Sequence, residues 1–140
     1  MLPEALIDTD ILSAVMRKDT PALAQASSYL AVHQNFTFSI ITRYEILRGL
    51  KAKEATVQLA AFDQFCKVSR ILALTDEVIV QAAEIYRGLY QRGELIGDAD
   101  ILIAASALVH DLVVVTNNEK HFRRIPELKV ENWIKSHGNA

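Results

Sequence analysis

Residues 96–108 read IGDADILIAASAL, and this stretch joins two carboxylates to a run that is apolar on nearly every helical face. A helix of this kind must be buried, because none of its faces favours water. Asp98 lies near the predicted N-cap and Asp100 in the first turn, where free N–H groups and the helix dipole stabilise negative charge. The simpler explanation is that Asp98 only caps the helix and that Asp100 is only a first-turn acid.

Composition limits the classes of protein to which the chain can belong. Its 140 residues are 51% hydrophobic with five glycines and three prolines, which is typical of a globular protein, and we expect a single domain over residues 1–140. The 15 basic and 17 acidic residues give a net charge of −2, so any contact with nucleic acid must be local. The lone Cys66 excludes an internal disulfide, and no apolar run is long enough to span a membrane. We therefore expect a soluble, cytoplasmic protein.

Short apolar runs alternate with longer segments of helical periodicity. The runs predict strands at residues 5–7, 36–40, 71–74, 112–115 and, at one edge, 128–133. Strands joined by helices predict an α/β fold with a mainly parallel sheet. Trp133 is expected to close the core. The long helix after Thr75 is predicted to pack inward through a set of residues at helical spacing: Ile79, Ala82, Ala83, Tyr86, Leu89 and Tyr90.

Polar side chains stand at the ends of several predicted elements. They are Asp8, Glu45, Asp98, Asp100 and Asn118. Ligand sites of parallel α/β sheets lie outside the carboxyl ends of the strands, so such a sheet could gather these groups on one edge. Thr9, Ser39, Thr42 and Thr116 would add hydroxyls there. A local explanation of Glu45 is a capping box with Thr42.

Several carboxylates a few ångströms apart repel one another unless a cation neutralises them. Oxygen ligands without cysteine or clustered histidine favour Mg²⁺ or Mn²⁺ over zinc. Such an ion can help to generate hydroxide and to stabilise charge at a scissile phosphodiester. The pattern therefore indicates nuclease chemistry.

Four motifs also resemble those of a known family. They are LIDTDIL at 6–12, TRYEILRG at 42–49, GDADILIAA at 97–105 and VTNNEKHF at 115–122. In this order they resemble the successive motifs of PIN-domain ribonucleases, and in particular those of VapC-type toxins of bacterial toxin–antitoxin pairs. The resemblance covers almost the whole chain.

The resemblance implies a three-layer α/β/α PIN-like domain that cleaves RNA of the tRNA or rRNA class with Mg²⁺ or Mn²⁺. It also implies a homodimer within a complex with a small VapB-type antitoxin. Because no apolar run could span a membrane, we expect no membrane partner. By motif position, Asp8, Glu45 and Asp100 would ligate the metal and Asp98 would support them. Asn118 stands where the family often has an acid, and it can ligate through its carbonyl oxygen without adding charge. Whether a second metal ion binds is left open.

The remaining polar residues near these motifs are given lesser roles. Asp10 stands where the family accepts Asn or Asp, and we interpret it as an orienting residue. RNA specificity would rest on loops and on scattered basic residues that are equally ordinary surface groups: Arg43, Arg48, Lys51, Lys120, Arg123 and Arg124.

Two other classes fit part of the pattern. A phosphatase of the haloacid dehalogenase type has an acid pair like residues 8–10 and a late acidic motif like residues 97–98. It also expects a glycine soon after the acid pair and a lysine before the late motif, whereas Ile11 follows here and no lysine lies between Lys67 and Lys120. The other alternative is a non-catalytic interaction module whose acids are only caps. Metal-dependent activity that is lost when one acid is replaced would exclude that module.

Overall fold

The computed structural model describes residues 2–134, and its centre is a five-stranded parallel sheet with the order β3-β2-β1-β4-β5. The strands are β1 (Ala5–Ile7), β2 (Thr37–Ser39), β3 (Arg70–Leu72), β4 (Val113–Val115) and β5 (Val130–Glu131). β1 is the central strand and β4 lies beside it, and both strands are fully buried, as is expected of parallel strands covered on two faces.

Seven helices cover the sheet within the described part of the chain. They are α1 (Thr9–Met16), α2 (Thr20–His33), α3 (Ile40–Ala52), α4 (Thr56–Lys67), α5 (Asp76–Arg92), α6 (Asp98–Val109) and α7 (Glu119–Phe122). No helix among residues 2–134 is long and apolar enough to cross a membrane.

Side chains of the central strands alternate between two cores, as the pleat of a strand requires. Leu6 and Val114 face the cluster formed with α5, α6 and α7. Ile7 and Val115 face the opposite cluster, to which α1, α2, α3 and α4 contribute and in which Trp133 is buried. The predicted α/β/α architecture with a parallel sheet is therefore confirmed, and so is the burial of Trp133.

Helix α6 is buried as its sequence predicts. Its residues from Ile103 to Ala107 are each inaccessible to solvent, and its small alanines allow the close approach of α5. The acids that precede this apolar run, Asp98 and Asp100, are therefore held at the N-terminus of a buried helix.

The predicted inward face of α5 is wrong by one position. The residues that pack inward are Val78, Ala82, Ile85 and Leu89, whereas Ile79, Ala83, Tyr86 and Tyr90 are exposed. The two sets have the same spacing along the helix, so periodicity alone could not distinguish the core stripe from its neighbour. Of the six predicted positions, only Ala82 and Leu89 are buried.

Helix α3 begins earlier than the sequence pattern predicted. Ser39 is its N-cap, and the Oγ atom of Ser39 accepts a hydrogen bond of 3.0 Å from the N–H of Ile41. Thr42 is therefore inside the first turn, and the capping box of Thr42 with Glu45 is wrong. Glu45 therefore has no capping role in α3, and its role has to be inferred from the residues that it contacts.

Candidate active site

The carboxyl end of β1 carries Asp8, which is 5% exposed and forms the N-cap of α1. Its Oδ1 accepts a 2.8 Å hydrogen bond from the N–H of Thr9, and its Oδ2 accepts one of 2.8 Å from Oγ1 of Thr116, which follows β4. Both carboxylate oxygens are thus held by donors from the first and last motifs. The sheet order makes this possible because β1 and β4 are neighbours.

Glu45 lies one turn into α3 and points to the start of α1. Oγ1 of Thr9 lies 2.7 Å from Oε1 of Glu45 and 3.0 Å from Oγ1 of Thr42. A hydroxyl has a single proton, so Thr9 donates to the carboxylate while Thr42 donates to Thr9. Thr9 and Thr42 therefore orient Glu45, and the structure brings Glu45 to the same edge as Asp8.

Asp100 is joined to the last motif through Asn118 and His121. Nδ2 of Asn118 lies 3.4 Å from Oδ2 of Asp100 and 2.8 Å from Nδ1 of His121, which itself is 3.5 Å from that carboxylate oxygen. His121 is a neighbour that the sequence reasoning missed. Its spacing of three residues from Asn118 across the short helix α7 was the available signal, because residues three apart share a helix face.

Asp98 makes no hydrogen bond or ion pair with this group through its side chain. It is the first residue of α6, after Gly97 at the N-cap, and it is exposed with no capping hydrogen bond from its side chain. Capping therefore does not explain Asp98. The charge of Asp98 lies in the first turn of α6, where it interacts favourably with the helix dipole.

Asp10 completes the cluster of acids. Its Oδ2 accepts a 3.0 Å hydrogen bond from the N–H of Asn117, so it holds the segment after β4, as an orienting residue would. Its Oδ1 is buried and has no hydrogen-bond partner in the structure. A buried carboxylate oxygen without a donor is unfavourable and favours a nearby positive charge.

Burial raises the pKa of three of the carboxyl groups, those of Asp8, Asp10 and Asp100. It raises the pKa of Asp8 to about 7, and the negative charge of Asp10 adds to this, while the hydrogen bonds from Thr116 and Thr9 oppose it. The pKa of Asp100 is raised first by burial, with opposition from His121 and a further rise from the charge of Glu45. These mutual effects mean that the acids lie close enough together to repel one another.

The donor set fits a divalent cation. It consists of carboxylate oxygens and has no cysteine, and the buried Oδ1 of Asp10, which has no hydrogen-bond donor, adds negative charge to it. Among residues 2–134, no three acidic, histidine or cysteine side chains stand in a ready-made metal cage, so a cation would have to draw the carboxylates together. Neutralising their repulsion favours that movement.

A groove of about 480 Å³ begins at this site and runs between α1 and α3 to the start of α4. Thr9 and Glu45 line its inner end. Met16, Ile46 and Leu50 give it an apolar wall, and Gly49 leaves it open. The acidic site is thus continuous with a surface that could bind an apolar segment.

Comparison with known proteins agrees with this fold. The PIN domain model matches residues 5–128. Ribonuclease VapC2 of Rickettsia felis is 30% identical over 131 residues, which cover 93% of this chain and 98% of that protein. The tRNA(fMet)-specific endonuclease VapC of Salmonella typhimurium is 32% identical over 96 residues, which cover 68% of this chain and 73% of that protein.

A solved structure with the same fold is that of VapBC2 from Rickettsia felis bound to a DNA fragment from their promoter. It has a TM-score of 0.82 and 28% identity, and the match covers 92% of this chain and 98% of that chain. A parallel α/β/α fold with acids gathered at one edge of the sheet defines a nuclease of the PIN class. The chain belongs to the PIN-domain family, among its VapC ribonucleases.

This membership decides between the classes that the sequence left open. The chain is a ribonuclease, and neither a haloacid dehalogenase-like phosphatase nor a non-catalytic module is favoured. Nucleases of this kind generally depend on a divalent metal ion, in agreement with the oxygen-only donor set described above.

Proposed function

We propose that this protein is the toxin of a VapBC-type pair and that it cleaves cytoplasmic RNA of the tRNA or rRNA class with Mg²⁺ or Mn²⁺. The observation that carries this proposal is the convergence of Asp8, Glu45 and Asp100 on one edge of the sheet, each held by neighbouring donors. The name of the Salmonella relative, a tRNA-specific endonuclease, supports the substrate class.

Asp8, Glu45 and Asp100 would hold the cation. A bound divalent ion supplies positive charge opposite the charge that develops on a phosphodiester, and it makes water a better nucleophile at neutral pH. The amide nitrogen of Asn118 faces Asp100, so we assign Asn118 to the positioning of that carboxylate. Asp98 adds negative potential at the start of α6. This assignment uses one metal ion.

The hydroxyls keep the carboxylates in place when the site is empty of substrate. Thr9, Thr42 and Thr116 all lie close to strand ends, and each makes a hydrogen bond within the cluster. Carboxylates that are already oriented lose less conformational entropy when they bind a cation. The polar network therefore lowers the entropic cost of binding, and a smaller movement of the carboxylates then closes them around the cation.

The groove between α1 and α3 supports an antitoxin as the partner. An apolar segment could pack against Met16, Ile46 and Leu50, as in helix-in-groove recognition. Because Glu45 lies at the inner end of the groove, a basic side chain of that segment could reach the acids and compete with the cation. Inhibition would then be occupation of the metal site. The VapBC complexes among the structural relatives support such a partner.

The exposed stripe on α5 supports a homodimer within that complex. Ile79 and Tyr90 are 45% and 65% exposed, and Tyr86 stacks on Tyr90 with ring centroids 6.1 Å apart. Contiguous exposed apolar side chains of this kind are typical of interfaces.

Controlled expression tests the toxin assignment. Expression of the wild-type protein alone should arrest growth, co-expression of the small adjacent open reading frame should restore it, and the two products should copurify. The Asp100→Asn variant should be harmless and should still bind the partner. Harmless expression of a wild-type protein that copurifies with nothing would contradict the toxin assignment, although RNA cleavage in vitro could survive it.

A further inference from the structure

Tyr44 is an exposed aromatic residue that directly precedes the acid Glu45. It is 59% exposed, whereas Phe38 and Phe62 are fully buried. A single exposed tyrosine is common on protein surfaces and has no meaning alone. Its position is the informative feature, because the ring lies on the helix that carries a residue of the active site.

Arg48 connects the ring of Tyr44 to the site. Its Cζ lies 5.2 Å from the centroid of the Tyr44 ring, and its Nη2 lies 3.8 Å from Oε2 of Glu45. The side chain of Arg48 is 60% exposed, so the contact with Glu45 is a loose ion pair that leaves most of its N–H donors free. The guanidinium therefore lies between the aromatic face and the acids, with donors available to another anion.

We propose that Tyr44 and Arg48 bind the nucleotide beside the scissile phosphate, with its base stacked on Tyr44 and its phosphate paired with Arg48. This inference rests on the proposed ribonuclease function and names the substrate more closely. Only an unpaired base can expose its face to a side chain, so the substrate is an RNA that offers a single-stranded loop or end at the cleavage point.

The charges around the site favour RNA as the occupant of this surface. The protein has a net charge of −2 and its active site is a cluster of acids, so a phosphate approaches against repulsion. A cation at the rim reduces that repulsion locally. Arg48 is such a cation, and Tyr44 holds its planar group by a cation–π contact. A second protein chain that packed on Tyr44 would carry no phosphate groups, so the positive charge of Arg48 would not be required to bind it.

Binding can be separated from cleavage. In an Asp100→Asn background, the Kd of a short single-stranded RNA that carries 2-aminopurine is measured by anisotropy and by quenching of the base. Tyr44→Leu should raise Kd about tenfold and relieve the quenching, because base–aromatic stacking of about 1–3 kcal/mol is lost and about 1.4 kcal/mol is tenfold. Tyr44→Phe keeps the ring and should change Kd less than about twofold. Arg48→Ala should reduce the slope of log Kd against log salt by about 0.7.

Arg87 is a matched control for Arg48. It pairs with Glu84 at the same spacing of three residues and is 63% exposed, but it lies on α5. Arg87→Ala should leave Kd and its salt dependence unchanged. In the otherwise wild-type enzyme, Tyr44→Leu should raise the KM for bulk tRNA and leave kcat within about threefold, since the acids are intact.

The outcomes separate this inference from the function on which it rests. A wild-type protein that neither binds nor cleaves RNA would contradict the proposed function. A wild-type protein that cleaves RNA, together with a Tyr44→Leu variant of unchanged Kd and KM, would overturn the nucleotide site alone. The same holds if Tyr44→Leu changes the oligomeric state by size-exclusion chromatography but leaves the affinity for RNA unchanged, since Tyr44 would then belong to an interface between copies.

Discussion

Thr116 donates a hydrogen bond of 2.8 Å from its Oγ1 to Oδ2 of Asp8, across 108 positions of the sequence. Neither residue is more than 5% exposed, and the same Oγ1 accepts a 2.9 Å hydrogen bond from the N–H of Asn118. One buried hydroxyl therefore fixes both the acid at the end of β1 and the loop that leads to α7. Together with the hydrogen bond from the N–H of Asn117 to Oδ2 of Asp10, it joins the first and last motifs of the chain.

The first prediction concerns Thr116→Val, which keeps the shape of the side chain and removes its hydroxyl. Asp8 then loses a donor in a buried place, so the ionised form of the carboxylate becomes less favourable. We predict that RNA cleavage at saturating metal falls by about 10- to 100-fold, which corresponds to roughly 1.4–3 kcal/mol. Thr116→Ser retains the hydroxyl and is the control. Equal activity of the valine and serine variants would show that the hydroxyl has no part in the site.

The second prediction concerns the pH dependence of stability without metal. The pKa of Asp8 is about 7 in the folded protein, above its ordinary value, so the folded state retains a proton that the unfolded state releases. The free energy of unfolding should therefore fall as pH rises from about 4 to about 7. Asp8→Asn removes this titration and keeps a good N-cap residue. In EDTA the variant should be similar to wild type near pH 4 and more stable by on the order of a few kcal/mol at pH 8.

Chemical denaturation at several pH values measures this difference. Mg²⁺ should then stabilise the wild-type protein at pH 8 more than it stabilises Asp8→Asn, because the variant lacks one of the three carboxylates that we assign to the cation. A difference between the two proteins that does not change with pH would contradict the assigned pKa.

The third prediction compares two acids of the same helix turn. Asp100 contacts Asn118 and His121, whereas Asp98 is exposed and caps nothing. Asp100→Asn should lower kcat/KM by at least about 1,000-fold without loss of stability, since it removes a charge that burial and the carboxylate of Glu45 disfavour. Asp98→Asn removes only a charge in the first turn and should lower kcat/KM by less than about tenfold. A larger effect at Asp98 than at Asp100 would reverse their roles.

The fourth prediction tests the groove through Gly49. No atom lies within 4 Å of a Cβ placed at this residue, so larger side chains are tolerated by the fold and point into open space. Gly49→Ala should stabilise α3 by about 0.5–1 kcal/mol and leave copurification with the antitoxin intact. Gly49→Gln should fill the groove and reduce copurification, with RNA cleavage retained. Undiminished copurification of the glutamine variant would place the antitoxin elsewhere.

The sequence predicted β1 and β4 well because each is short, apolar and followed by polar residues, and the alternation of strands with helices implied the parallel sheet. It failed on α5, where the apolar residues outnumber the positions that the core can accept. Ile79 and Ile85 are equally hydrophobic, and only the packing of α5 on α6 decides that Ile85 is buried. The periodicity of a single helix carries no information about that tertiary contact.

The candidate site was predictable as far as strand ends could be located. Asp8 and Glu45 follow β1 and β2, and neighbouring parallel strands bring them together. His121 was missed because its approach to Asp100 depends on the rotation of the short helix α7, which the packing of Phe122 in the core determines. Similarly, the link from Thr42 through Thr9 to Glu45 depends on where α3 begins, and the sequence placed that start too late.

The most direct test of the central claim, that these acids form a metal-dependent ribonuclease site, is a cleavage assay on purified protein with bulk tRNA. Wild-type protein should cleave RNA with Mg²⁺ or Mn²⁺, stop when EDTA is added and recover when the metal is restored. Asp100→Asn, purified by the same procedure, should be inactive under all of these conditions, which excludes a contaminating nuclease. Cleavage that persists after exhaustive chelation, or that is equal in the Asp100→Asn variant, would contradict the account.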